Sequence, residues 1–108
     1  MGAPATGQRV MNLLGMAQKA GRIVSGSTAV EQAVKGKHAK SLLVAADAAE
    51  ETRGDYEELA RRYHIPLFVC LTKEFLGRCL GKEQRAAVAL LDEGFSRALS
   101  KLVEEGKD

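Results

Sequence analysis

The chain has 108 residues, of which 45% are hydrophobic and 28% are charged, and its formal net charge is +2. This length leaves no room for a second domain. No apolar run approaches the roughly 18 residues that span a bilayer, and Cys70, Cys79, His38 and His64 lack the spacing of a zinc site or a disulfide framework. We therefore expect no cofactor, no metal, no membrane partner, a monomer, and a cytoplasmic location in which Cys70 is a buried, reduced thiol.

The pattern of apolar residues predicts helices that alternate with strands. Apolar side chains three or four apart indicate amphipathic helices, and continuous apolar runs indicate strands covered on both faces. After a mobile leader over residues 1–8, we expect one domain over residues 9–104. Its predicted elements are helix 8–20, strand 23–24, a helix from Ser27 or Thr28 to Gly36, a central strand 42–46, helix 51–63, a buried strand 67–71, helix 72–80, strand 86–91 and helix 93–103. This order predicts an α/β fold with helices on both faces of one sheet.

Several polar residues and one proline indicate where elements begin and end. Ser27 or Thr28 is predicted to be the N-cap of the second helix, with Glu31 in its first turn. Asp47 is interpreted as a capping residue in the turn that leads into the third helix. The turn at Pro66 should stop that third helix.

Charge is unevenly distributed along the sequence. Residues 1–46 contain six basic residues against the single acid Glu31, whereas residues 47–66 contain six acids against three arginines. A basic first half followed by an acidic segment suggests a polarised surface, one side of which could meet phosphates. Ordinary solvated helix faces explain the same distribution about as well.

The motifs that resemble catalytic sites lack essential residues. Residues 21–28 (GRIVSGST) and 77–82 (GRCLGK) approach a P-loop, but the first lacks the phosphate-binding lysine and the second is one residue too short. Asp47 follows a buried strand, as a phospho-acceptor aspartate would, but no acidic pair precedes it to hold Mg²⁺. The sequence therefore predicts a protein that is not an enzyme.

The start of the second helix is a candidate for anion binding. Residues 25–28 (SGST) open that helix, where free N–H groups attract phosphates and Gly26 permits a close approach. An ordinary capped helix explains the same pattern. The basic residues in the flanking segments are Lys19, Arg22, Lys35, Lys37 and Lys40.

Four stretches of the chain together resemble the superfamily of kink-turn RNA-binding ribosomal proteins, and most closely its short bacterial YlxQ-type members. They are residues 12–26 (NLLGMAQKAGRIVSG), 39–48 (AKSLLVAADA), 64–68 (HIPLF) and 76–90 (LGRCLGKEQRAAVAL). The resemblance extends over residues 11–102. It implies a three-layer αβα sandwich with a mixed four-stranded sheet, which binds RNA at one end through the start of the second helix and the loop before the last strand.

The resemblance also implies which residues bind RNA. Family members that recognise kink-turns carry a Gly-Thr-Asn-Glu-x-x-Lys type of motif, and the matching positions here are Gly26, Ser27, Thr28, Ala29 and Gln32. Ala29 cannot form a hydrogen bond with a base, so this departure predicts weaker binding. The predicted RNA-binding residues are Gly26, Ser27, Thr28, Gln32, Lys40, Lys82, Glu83, Gln84 and Arg85.

Two hypotheses about function follow. The first is a ribosome-associated protein that recognises kinked or bulged RNA by its shape and its unpaired bases, with structured RNA, expected to be ribosomal, and ribosomal proteins as candidate partners. The alternative is a protein-interaction domain on the same fold with little RNA specificity, which Ala29 and the small net charge favour.

Overall fold

The structure is a computed structural model that describes residues 5–106, in which helices and strands alternate in the predicted order. The elements are α1 (Ala5–Lys19), β1 (Ile23–Ser25), α2 (Ser27–Lys35), β2 (Ser41–Val44), α3 (Glu50–Tyr63), β3 (Leu67–Val69), α4 (Lys73–Cys79), β4 (Ala87–Leu90) and α5 (Glu93–Glu105). The predicted leader is only partly covered. Residues 1–4 lie outside the described residues, and residues 5–8 belong to α1.

The four strands form one mixed sheet in the order β1-β4-β2-β3. Strands β2 and β3 are parallel, whereas β4 is antiparallel to both β1 and β2. Every residue of the two inner strands, β2 and β4, is buried, as their continuous apolar sequences predicted. The prediction of a fully buried strand over 67–71 was wrong, because β3 has three residues, lies at the sheet edge and is half-buried.

Alternate residues of the inner strands face two separate hydrophobic clusters. Leu43 and Val88 pack with residues of α1, α4 and α5 in one cluster. Leu42 and Ala89 pack with residues of α2 and α3 in the other. Helices therefore cover both faces of the sheet, which confirms the predicted three-layer αβα sandwich.

Helix α3 ends at Tyr63, as predicted, but the residue that stops it is His64 rather than Pro66. His64 adopts a left-handed conformation with φ of 58°, and its N–H bonds to carbonyl oxygens of the last helical turn. The helix thus ends three residues before Pro66, because the left-handed residue turns the chain out of the helix before the proline is reached.

The two cysteines are free and half-buried, so the prediction of a buried Cys70 was correct only in part. Burial raises the pKa of the Cys70 thiol to about 11, with a smaller contribution from Cys79 nearby. The thiol is therefore protonated near neutral pH, and it is a poor nucleophile. Separately, none of the helices within residues 5–106 is both long and apolar enough to cross a membrane.

Candidate nucleic-acid interface

The start of α2 is formed by Gly26, which connects β1 directly to the helix. Its backbone has φ of 91° and ψ of 150°, and its carbonyl oxygen accepts the N–H of Val30 at 3.0 Å. The predicted N-cap was wrong. Gly26 holds that position, Ser27 is the first helical residue, and among the described residues no side chain caps this turn. The N–H groups at the helix start consequently lack a side-chain acceptor, which favours an external anion.

The exposed side chains of α2 nearest to this turn are polar. Ser27, Thr28 and Gln32 are exposed, whereas Ala29 is half-buried. Thr28 and Gln32 are four residues apart in one helix, so they lie next to each other on the same face. Together they present hydroxyl and amide groups that form hydrogen bonds with base edges or phosphates.

The second predicted segment is the loop between α4 and β4, which is held against α4 by a close backbone contact. A Cβ atom on Gly77 would lie 1.9 Å from the carbonyl oxygen of Glu83. In addition, the N–H of Lys82 donates to the carbonyl oxygen of Gly77 at 2.9 Å. The loop therefore rests on α4, and it leaves Lys82, Glu83 and Gln84 exposed.

A hydrogen bond joins the two predicted segments. Nε of Arg85 donates to Oγ of Ser25 at 3.3 Å, directly before Gly26. Nη1 of the same guanidinium donates to the carbonyl oxygen of Gln84 at 2.9 Å. The antiparallel pairing of β1 with β4 sets Ser25 opposite Val88, close to where the loop enters the strand. The start of α2 and the basic loop therefore meet at one end of the sheet.

Lys40 lies apart from the other predicted RNA-binding residues. Its N–H donates to the carbonyl oxygen of Leu90 at 2.7 Å, at the far end of β4, whereas the loop that carries Arg85 leads into Ala87 at the near end. Strands rise about 3.3 Å per residue, so the length of β4 separates Lys40 from the site by roughly 10 Å. The eight other predicted residues lie in the two segments that converge.

A groove between α2 and α3 adjoins the start of α2. This groove of about 440 Å³ begins at Ser27 and Thr28 and continues past Glu31 and Asp55. Burial raises the pKa of Tyr56 in this groove, and the negative charges of Glu31 and Asp55 raise it further. Lys35 and Arg62 line the same groove and pair with Glu31 and Glu58, so the surface beside the start of α2 carries charges of both signs.

Asp47 has a role that differs from the predicted cap. The N-cap of α3 is Ala49, and Oδ1 of Asp47 accepts the N–H of Lys73, the first residue of α4, at 2.8 Å. The carbonyl oxygen of Lys73 in turn accepts the N–H of Arg85 at 3.1 Å. The prediction failed because it considered only the next helix in the chain, whereas β2 ends beside the start of a helix 26 residues later.

This connection predicts the effect of Asp47→Ala. We expect the free energy of unfolding to fall by about 1 kcal/mol, because α4 loses an acceptor at its N-terminus, and RNA affinity to fall because the backbone of Arg85 loses its support. Urea denaturation and an RNA titration measure the two effects. Asp47→Asn keeps an acceptor oxygen and should retain most of both properties. Equal losses in the two variants would contradict this role.

The chemistry available at this end of the molecule is that of binding. The predicted residues supply hydroxyl, amide, ammonium and guanidinium groups together with helix N–H groups. In the part of the chain that the structure describes, no group of three or more His, Cys, Asp or Glu residues is arranged to hold a metal ion. Sequence reasoning missed Gly77 and Asp47 as supports of the site, since both depend on contacts that no local pattern reveals.

Comparison with known proteins agrees with this fold. The chain is 32% identical over 99 residues to the RNA-binding protein YlxQ of Bacillus subtilis, covering 92% of this chain and 99% of that protein. It is 29% identical over 97 residues to the YlxQ protein of Enterococcus faecium, covering 90% and 93%.

Two solved structures are also similar. A protein of unknown function from Bacillus halodurans superposes with a TM-score of 0.85 at 30% identity, covering 89% of this chain and 97% of that one. The Giardia lamblia 15.5kD RNA binding protein superposes with a TM-score of 0.78 at 16% identity, covering 97% and 90%, and so shares the fold. Residues 8–100 match the model of the Ribosomal protein L7Ae/L30e/S12e/Gadd45 family, and the chain therefore belongs to that family.

Proposed function

We propose that this protein is a ribosome-associated RNA-binding protein that recognises kinked or bulged RNA, and that it binds as a monomer in the cytoplasm without catalysing a reaction. The observation that supports this best is the hydrogen bond from Arg85 to Ser25, because it brings the basic loop beside the glycine at the start of α2. The YlxQ relatives are named as RNA-binding proteins, which supports the same class of ligand.

The proposed site combines two kinds of contact. Lys82, Arg85 and the uncapped N–H groups of α2 are suited to phosphates, which position an RNA without reading its sequence. Thr28 and Gln32, with Gln84 on the loop, are suited to the edges of unpaired bases. A straight duplex hides those edges in its deep and narrow major groove, so a bent or bulged RNA fits this arrangement better.

Arg85→Ala and Gln32→Ala should each weaken binding to a kink-turn RNA. Each variant should lose about 1–3 kcal/mol of binding free energy, which corresponds to a decrease in affinity of roughly 5- to 150-fold. The measurement is fluorescence anisotropy with a kink-turn RNA and a straight duplex at several salt concentrations. Wild-type protein should prefer the kink-turn RNA, with an affinity that decreases as salt rises.

Matched controls are available on exposed helix faces away from the site. Gln18→Ala on α1 and Arg53→Ala on α3 remove the same types of side chain, and both should bind as the wild type does. Equal weak binding to both RNAs, unaffected by Arg85→Ala or Gln32→Ala, would refute specific recognition. Nuclease-insensitive co-sedimentation with a protein, without RNA, would instead support the protein-interaction alternative.

A further inference from the structure

A groove of about 740 Å³ opens at the end of the sheet opposite to the proposed RNA site. It lies between the C-terminal ends of α2 and α3, the loops that lead from them into β2 and β3, and the start of α5. Basic side chains on both loops and at the end of α3 line the groove. They are Lys37, Lys40, Arg62 and His64.

Positive charge exceeds negative charge in this groove. Its one acidic lining residue, Glu93, is 3.4 Å from the guanidinium of Arg97. Within residues 5–106, no carboxylate lies within ion-pair distance of Lys37 or Lys40. The C-terminal ends of α2 and α3 contribute only about half a negative charge each. Two unpaired lysines therefore face a groove whose single carboxylate is already neutralised.

The backbone at two of these basic residues is in a conformation that favours glycine. Lys37 has φ of 64° and His64 has φ of 58°, and helices usually use glycine or asparagine for such left-handed residues. The neighbouring Gly36 has an ordinary φ of −81°, so the glycine is not at the left-handed position. A glycine at residue 37 would end the helix at least as well as the lysine does. The ending of the helix therefore does not by itself account for a lysine at this position.

We propose that this groove is a second RNA-binding surface, which contacts phosphates through Lys37 and Lys40 without reading bases. The protein would then hold two RNA segments, one at each end of the sheet. The inference relies on the proposed function only for the identity of the polyanion. Lysine ammonium groups act as mobile point charges, and the groove lies between two flanking loops, which suits a phosphate backbone that passes along it.

The test uses two RNAs and two double variants. The probes are a straight duplex of about 16 base pairs and a kink-turn RNA with short arms. The first double variant, Lys37→Gln with Lys40→Gln, removes two positive charges from the groove. The control double variant, Arg9→Gln with Lys101→Gln, removes two positive charges from the outer face of α1 and α5. The groove variant should lose roughly 5- to 10-fold in duplex affinity, and its slope of log Kd against log salt should decrease by about 1 to 2. Its affinity for the short kink-turn RNA should be unchanged.

Competition tests whether the two surfaces are separate. Wild-type protein saturated with the short kink-turn RNA should still bind labelled duplex. Complete displacement of the duplex, or equal behaviour of the groove and control variants, would overturn the second surface. If duplex binding depends on the groove but kink-turn preference is absent, the proposed function fails and the second surface stands.

Lys37→Gly separates a binding role from a structural one. Glycine accepts the left-handed backbone at this position, so the urea midpoint should be at least that of the wild type while duplex affinity falls severalfold. A lower midpoint with unchanged duplex affinity would mean that Lys37 only supports the fold, and would overturn the proposal.

Discussion

Gly77→Ala should weaken both the fold and RNA binding. The added Cβ would lie 1.9 Å from the carbonyl oxygen and 2.6 Å from the carbonyl carbon of Glu83, and backbone atoms cannot rotate away as a flexible side chain does. The loop over residues 82–85 must move, which should also break the bond from Lys82 N–H to the carbonyl oxygen of Gly77. We expect the free energy of unfolding to fall by about 1–3 kcal/mol.

The displaced loop should reduce affinity for kink-turn RNA by roughly tenfold or more, which corresponds to about 1.4 kcal/mol, because Lys82, Gln84 and Arg85 move together. Urea denaturation and fluorescence anisotropy measure the two losses. Gly54→Ala is a matched control, since Gly54 is exposed within α3 and no atom lies within 4 Å of its added Cβ. The free energy of unfolding of this control variant should rise by about 0.5–1 kcal/mol, because alanine is more stable than glycine within a helix. Identical results for the two variants would show that the loop does not depend on Gly77.

Gly26→Ala is expected to have the second large effect, for a different reason. Nothing lies within 4 Å of a Cβ at Gly26, so the cost comes from the backbone, whose φ of 91° and ψ of 150° are essentially confined to glycine. We expect about 1–3 kcal/mol of destabilisation. If the chain relieves this strain, the start of α2 reorients and its N–H groups no longer point at a bound phosphate.

The readouts for Gly26→Ala are the urea midpoint and the ratio of affinities for kink-turn RNA and duplex. Stability should fall and the ratio should approach one, whereas Gly15→Ala, at an open helical position, should leave the ratio unchanged. A destabilised variant with the wild-type ratio would mean that the geometry at Gly26 serves only the fold.

The sequence was sufficient for the order of elements and for the layers of the fold. Apolar runs at Leu42–Val44 and Ala87–Leu90 are buried on both faces, and this property can be recognised without a partner strand. Strand lengths and the residues that stop helices were less accurate. Helix α3 ends at Tyr63 as predicted, but His64 stops it in a left-handed conformation, which is uncommon for residues other than glycine, so the more obvious signal at Pro66 was misleading.

The sequence predicted the two segments of the candidate site but not the contacts that hold them together. Gly26 was identified from local chemistry and from the family resemblance, and the loop at residues 82–85 from the resemblance alone. The close contact at Gly77 and the acceptor role of Asp47 depend on residues distant in the chain, to which local patterns are insensitive. The separation of Lys40 from these segments was not predicted, because a count of charges along the sequence does not distinguish the two ends of a strand.

Both outermost strands of the sheet, β1 and β3, have only three residues. Such short edge strands offer few unpaired N–H and C=O groups to another polypeptide. Natural proteins use short edge strands to avoid intermolecular strand pairing and aggregation. A protein partner would have little to gain by adding a strand to this molecule. A protein partner should instead contact the outer surfaces of the helices and the connecting segments at the two ends of the sheet.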